Sequence, residues 1–97
     1  MPTYISLYRW TEQGIKNVKQ SPERLEAGVK AAQQMGIEVK GVYVVMGQYD
    51  LVTIADAPND EAIALFALAL ASQGNVTTQT LRAFSPDEFG EIVSALP

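Results

Sequence analysis

A chain of 97 residues with 47% hydrophobic side chains fits one compact domain, residues 1–97, and can bury a core without staples. It has neither cysteine nor histidine, which excludes disulfides, thiolate chemistry and Cys-ligated metal centres and removes the commonest general base, metal ligand and haem ligand. The formal charge of −4 and seven scattered Lys and Arg residues argue against a phosphate-tracking surface, so no metal, no cofactor and no direct nucleic-acid contact are expected.

The N-terminal residues Met1-Pro2-Thr3-Tyr4-Ile5-Ser6 show no basic region, long apolar run or cleavage site, and do not read as a signal peptide. Thr3 to Trp10 alternates, with Ile5, Leu7 and Arg9 on one side and Tyr4, Ser6, Tyr8 and Trp10 on the other, the pattern of a first strand. Thr11-Glu12-Gln13-Gly14 is turn-like, and Ile15 to Gln20 reads as a loop. Ser21-Pro22-Glu23 has the form of an N-cap, an N1 proline and an acidic first turn, followed by a helical stripe of Leu25, Val29 and Ala32 that ends at Met35 and Gly36.

Ile37 to Met46 and Tyr49 to Asp56 are two β-rich runs joined by Gly47-Gln48. A two-residue connection with glycine first suits a type II′ hairpin, whose first central residue needs positive φ. The register follows: Met46 faces Tyr49, Val45 faces Asp50, Val44 faces Leu51, Tyr43 faces Val52 and Val42 faces Thr53. Pro58-Asn59-Asp60-Glu61 opens a second helix whose body, Ala62 to Ala71, is apolar nearly all round and half a membrane span long. A soluble, cytoplasmic protein without membrane contact is expected. Gly74 stops this helix, and the threonine-rich run Val76 to Phe84 is a fourth strand. Ser85 and Glu88 form a capping box ahead of a short helix carrying Phe89, Ile92, Val93 and Leu96.

The order βαββαβ plus a terminal helix predicts an α+β, ferredoxin-like domain with an antiparallel sheet of order 4-1-3-2. Both sheet faces are apolar. The reading taken is that Tyr43, Val45, Val52, Ile54, Ile5 and Leu7 receive the helices. Tyr4, Tyr8, Trp10, Val42, Val44, Met46, Tyr49 and Leu51 then form an uncovered face larger than monomers normally expose. Face-to-face homodimerisation, or a higher homo-oligomer, would cover it as a dimeric α+β barrel; the alternative cover is the C-terminal helix folded underneath.

Several short patterns share a resemblance. Tyr4, Thr11-x-x-Gly14, Arg24 and Ala27, Gly47-x-Tyr49-Asp50, Ala57-Pro58-x-Asp60, and Gly74-Asn75-Val76-Thr77-Thr78-x-Thr80-Leu81-Arg82-Ala83-Phe84 together resemble the GYD domain family, nearly end to end. The family looks like a branch of the dimeric α+β barrels, with no established biochemical activity. A more distant likeness is to the effector domains of leucine- and asparagine-responsive regulators, which implies small amino acids bound between subunits. No helix-turn-helix precedes the first strand, so direct DNA contact of their kind is not expected.

Polar groups converge at one end of the predicted sheet. Arg9 and Asp50 are expected as neighbours there on the helix side, because strands one and three run side by side. Asp50 is the candidate catalytic residue, a base or an anchor for a ligand amine; its structural alternative is an ion pair with Arg9 or a carboxylate accepting backbone N–H bonds. Tyr8, Trp10 and Tyr49, with Thr78 and Thr80, suit either a wall for a small planar ligand or a dimer core. The predicted ligand-binding set is therefore Arg9, Trp10, Tyr8, Tyr49, Asp50 and Thr78. Arg82 at the far end of strand four either clamps a carboxylate or pairs with a surface acid. Lys16, Lys19 and Arg24 either receive an anion or form a solvated basic edge. The acidic pairs Asp60-Glu61 and Asp87-Glu88 are accounted for by helix dipoles.

Three functional readings remain open. The preferred one is a non-catalytic small-molecule-binding homo-oligomer. The others are a cofactor-free enzyme using Asp50 or a tyrosine, and a structural or interaction scaffold.

Overall fold

The computed structural model describes residues 1–97 and gives the order β1 (Thr3–Trp10), α1 (Glu12–Lys16), a single 3-10 turn (Val18–Gln20), α2 (Ser21–Gln34), β2 (Glu38–Val44), β3 (Leu51–Asp56), α3 (Asp60–Ser72), β4 (Val76–Ala83) and α4 (Pro86–Ser94). One antiparallel sheet runs β2-β3-β1-β4, the predicted order read from the other edge. The hairpin register is as expected: Val44 pairs with Leu51, Tyr43 with Val52 and Val42 with Thr53. Gly47 has φ +112° and the Val45 N–H donates to the Asp50 carbonyl at 2.9 Å, so the glycine connection closes the hairpin as its conformational freedom requires. A register shift between Val39 and Gly41 bulges β2 at Lys40.

The two faces are used the other way round from the expectation. Tyr4, Ser6, Tyr8, Leu51 and Ala55 are buried beneath the helices, whereas Ile5, Leu7, Val52 and Ile54 lie on the open face and are only half-buried. The core joins Tyr4 and Ala55 to Ala32, Ile37, Ala57 and Ile63, with Met35, Val39 and Phe66 packed against it. Small side chains go with the choice: Ala55 and Ala57 pack with Ala32 of α2 and Ile63 of α3. The tyrosines tolerate this side because their hydroxyls reach partners, Tyr8 meeting Thr53 Oγ1 at 3.1 Å and Tyr4 donating to the Asp60 carboxylate. Asp60 thus does more than offset a helix dipole.

Two local expectations are also corrected. The run after Thr11 is helical rather than a loop, because Thr11 caps α1 by accepting the Gly14 N–H at 3.0 Å. Ser21 lies inside α2, with Gln20 at the cap position and the Ser21 hydroxyl donating to the Val18 carbonyl at 2.6 Å. The other two long helices start as their sequences imply. Asn59 accepts the Ala62 N–H at 2.9 Å, and Ser85 and Glu88 make the reciprocal capping box.

A clasp ties the end of β1 to the start of β4. Thr11 donates its hydroxyl to the Gly74 carbonyl at 2.6 Å and its N–H to the Asn75 carbonyl at 3.0 Å. Gln13 adds bonds to the Gln73 carbonyl and Asn75 Oδ1. Gly14 sits so close beneath that a Cβ there would fall 2.0 Å from the Asn75 carbonyl oxygen. The Thr11-x-x-Gly14 and Gly74-Asn75 pieces are two halves of one junction.

The fold leaves much surface uncovered. Its solvent-accessible area is 6468 Å², against about 5,400 Å² for a compact monomer of this mass. The radius of gyration is 14.7 Å, where about 12.5 Å is typical. Part of the excess is α4, which does not fold under the sheet: Phe89, Ile92, Val93 and Leu96 form one stripe at 43–70% exposure. No helix is long and apolar enough to cross a membrane.

Candidate functional site

The hairpin end of the sheet holds the residues singled out from sequence, and the sheet itself divides them. On the open face Arg9 lies over the Tyr49 ring, 5.1 Å from guanidinium carbon to centroid, and the Tyr49 hydroxyl donates to Gln79 Oε1 at 2.7 Å. Tyr49 stands there with Arg9 because it belongs to the hairpin connection, ahead of the regular alternation that begins at Leu51. On the helix side stand Tyr8, Trp10 and Thr78, with Thr80 beyond them, its Oγ1 3.4 Å from Ser6 Oγ. The alternation of β4 that the sequence left open is thereby fixed: Gln79 pairs with Leu7 and Leu81 with Ile5, both outward.

Asp50 lies between these groups and makes no ion pair with Arg9. Its carboxylate accepts the Trp10 backbone N–H at 2.9 Å, and its own N–H donates to the Tyr8 carbonyl at 2.9 Å. Those bonds continue the β1–β3 pairing past the last regular residues and fix the hairpin against the end of β1. This is the backbone-bonding alternative among the readings of Asp50.

Beneath the helix side runs a split of about 100 Å³ between the sheet and α2 and α3. Tyr8 and Trp10 stand at its hairpin end, Leu25 and Val29 come from α2, and Phe66 and Leu70 from α3. Arg24 also lines it and contributes its single charge. The sequence grouped Arg24 with Lys16 and Lys19, as an anion site or a solvated basic edge; only the packing of α2 onto the sheet separates it from them. Arg82, at the far end, pairs with Glu88 at 3.9 Å and lies over Phe84 at 4.5 Å, the surface-acid alternative.

The perturbed ionisations sit away from the hairpin end. The hydroxyl of Thr3 and the ammonium of Lys40 hold the Asp56 carboxyl below its ordinary value. The Ser85 cap does the same for Glu88. The hydrogen bond to Asp60, with burial, raises the Tyr4 phenol. Each accompanies a fold-stabilising bond, and no group of three or more acidic side chains is placed to hold a metal ion.

The whole of this framework, from Tyr4 in β1 to Val93 in α4, is matched by the family model of the GYD domain, which spans residues 4–93. The chain belongs to the GYD domain family. A GYD relative from Thermus thermophilus, described as a glutamine synthetase and cystathionine beta-lyase binding protein, is 37% identical over 84 residues, covering 86% of this chain and 88% of that protein. Among solved structures, the crystal structure of FFRP-DM1 is similar with a TM-score of 0.61 at 22% identity, covering 87% of this chain and all of that one. That likeness shows the shared fold.

Proposed function

We propose that this GYD protein is a non-catalytic binding module that works as a homodimer, or a higher homo-oligomer built from dimers, and docks onto other proteins. The observation that carries the proposal is the uncovered sheet face. Ile5, Leu7, Val52 and Ile54 form its centre, flanked by Tyr43 at 59% and Leu81 at 41% exposure. The occupant proposed for it is a second copy of the chain. The surface excess over a compact monomer is on the order of 1,000 Å², close to the roughly 800 Å² that each partner buries in a stable interface. The exposed stripe of α4 is a second uncovered apolar surface.

Docking onto other proteins is supported by the Thermus thermophilus relative, whose description is that of a protein binding two enzymes. Absence of catalysis is supported by the engagement of Asp50 with the Trp10 N–H. Small-molecule binding is part of the same reading, supported by the apolar split that Tyr8 and Trp10 help to line. Of the predicted ligand set, Tyr8 and Trp10 line that split; Arg9 and Tyr49 stand on the other face of the sheet, and Asp50 and Thr78 are not part of the lining.

The experiment is light scattering coupled to size exclusion, on the wild type and on Leu81→Asp. The wild type is expected at twice the 10.5 kDa chain mass or a multiple of it, with the variant shifted toward the monomer while keeping its circular dichroism. A monomeric wild type would overturn the proposal. Titration of glutamine synthetase and of cystathionine beta-lyase from the same source organism, followed by sedimentation, tests the docking half. Failure of both enzymes to sediment with the protein would remove the support drawn from the relative.

A further inference from the structure

Arg24 is partly buried, and its two terminal nitrogens differ. Its Nη1 donates to the Asn17 carbonyl at 3.0 Å, but its Nη2 is shut off from solvent and has no hydrogen-bond partner. The five ion pairs of the molecule use Lys16, Lys30, Lys40 and Arg82, so no carboxylate of the chain neutralises this guanidinium. A buried cationic donor left unpaired costs considerably more than one that meets an acceptor. It persists here on the wall of a mostly apolar cavity that contains no acidic residue.

We infer that the split between the sheet and helices α2 and α3 binds a small apolar carboxylate, which pairs with the Arg24 guanidinium while its hydrocarbon part fills the cavity. This deepens, and rests on, the reading of the protein as a binder of small molecules. The class follows from the lining. Most of the wall is aliphatic or aromatic, which favours a hydrocarbon body, and Arg24 supplies the only charge. A carboxylate matches the single charge of this wall, whose other polar groups, Ser21, Thr53, Gln73 and Asn75, are neutral. The volume of about 100 Å³ sets the size at one small ring or a short branched chain.

Gly28 offers a way to close the cavity without touching Arg24. It lines the split, and a Cβ placed there would meet only Leu70 Cδ2, at an ordinary 3.9 Å. A larger side chain at Gly28, such as leucine, therefore starts into open space rather than against backbone.

The test is a nuclear magnetic resonance titration of the full-length protein with benzoate and with benzyl alcohol, which share a ring and differ in charge. Benzoate is expected to give saturable shifts at cavity-lining amides, with affinity about tenfold or more above benzyl alcohol, the typical gain of a charge-assisted hydrogen bond. Arg24→Met should level the two ligands, and Gly28→Leu should block both while the circular dichroism is kept. If benzyl alcohol binds as well as benzoate, the carboxylate assignment is overturned and small-molecule binding stands. If neither ligand binds the wild type, both fall. Should Arg24→Met fail to fold, the wild-type ligand pair and Gly28→Leu still decide the matter.

Discussion

Replacing Asp50 by alanine should destabilise the protein through a single lost contact. The carboxylate accepts the Trp10 backbone N–H at 2.9 Å, at a place where Trp10 is only half-exposed and water replaces the lost acceptor incompletely. A hydrogen bond to a charged group contributes ~1.5–3 kcal/mol, and an orphaned donor at a half-buried site costs within the same range. A loss of ~2 kcal/mol in a domain of this length lowers the melting temperature by ~8–16 °C. Asp50→Asn keeps an acceptor oxygen without the charge and should fall between alanine and wild type. Scanning calorimetry at one fixed protein concentration measures this, since an oligomer's melting point depends on concentration. Hydrogen exchange at the Trp10 amide should quicken in the alanine variant. An Asp50→Ala protein that melts with the wild type would refute the structural role and return Asp50 to the list of candidate catalytic groups.

Gly14→Ala should cost ~1–3 kcal/mol, because its Cβ meets backbone at Asn75 rather than a yielding side chain; urea denaturation reads it, and a neutral result would mean the clasp is slack. At Gly47 a Cβ meets nothing within 4 Å, so Gly47→Ala should lose only the ~1–2 kcal/mol of a left-handed backbone, with the register kept by cross-strand amide contacts. The Asp56 carboxyl is held below its ordinary value of 3.8 by Thr3 and Lys40. Its contribution to stability is therefore complete above that pH and is lost as pH falls through the lowered value. Urea midpoints should drop on acidification below the ordinary value, and Asp56→Asn should flatten that part of the profile.

The hairpin was readable because one glycine has one physical use there, and a register once fixed at Gly47 propagates along both strands. Which face the helices would choose was not readable from the same rule. Register sets which residues share a side, and here both sides are apolar. The outcome goes with size: Ala55 joins Ala32 of α2 and Ile63 of α3 in the core, while Ile54 beside it stands on the open face. Tyr49 escaped the alternation argument because it precedes the first paired residue of β3. Arg24 stood in the chain as one of three cations near a helix start, with nothing to set it apart from Lys16 and Lys19. Its isolation from every carboxylate exists only once α2 lies on the sheet. The Thr11 cap was available in sequence, but a five-residue helix with a central glycine has too little periodicity to announce itself.

The position of β1 at the heart of the sheet also sets the order in which the chain can fold. The first strand to be made has no neighbour among the residues that follow it directly: it meets β3 through Tyr8 and Thr53, 45 residues apart, and β4 through Ser6 and Thr80, 74 residues apart. Only β2 and β3 can zip locally. Closing such long loops before any contact rewards them makes for slow folding. Until Val76 to Ala83 is in place, Ile5 and Leu7 lie on a strand with an unsatisfied edge, the interval in which a growing chain is most exposed to pairing with the wrong partner.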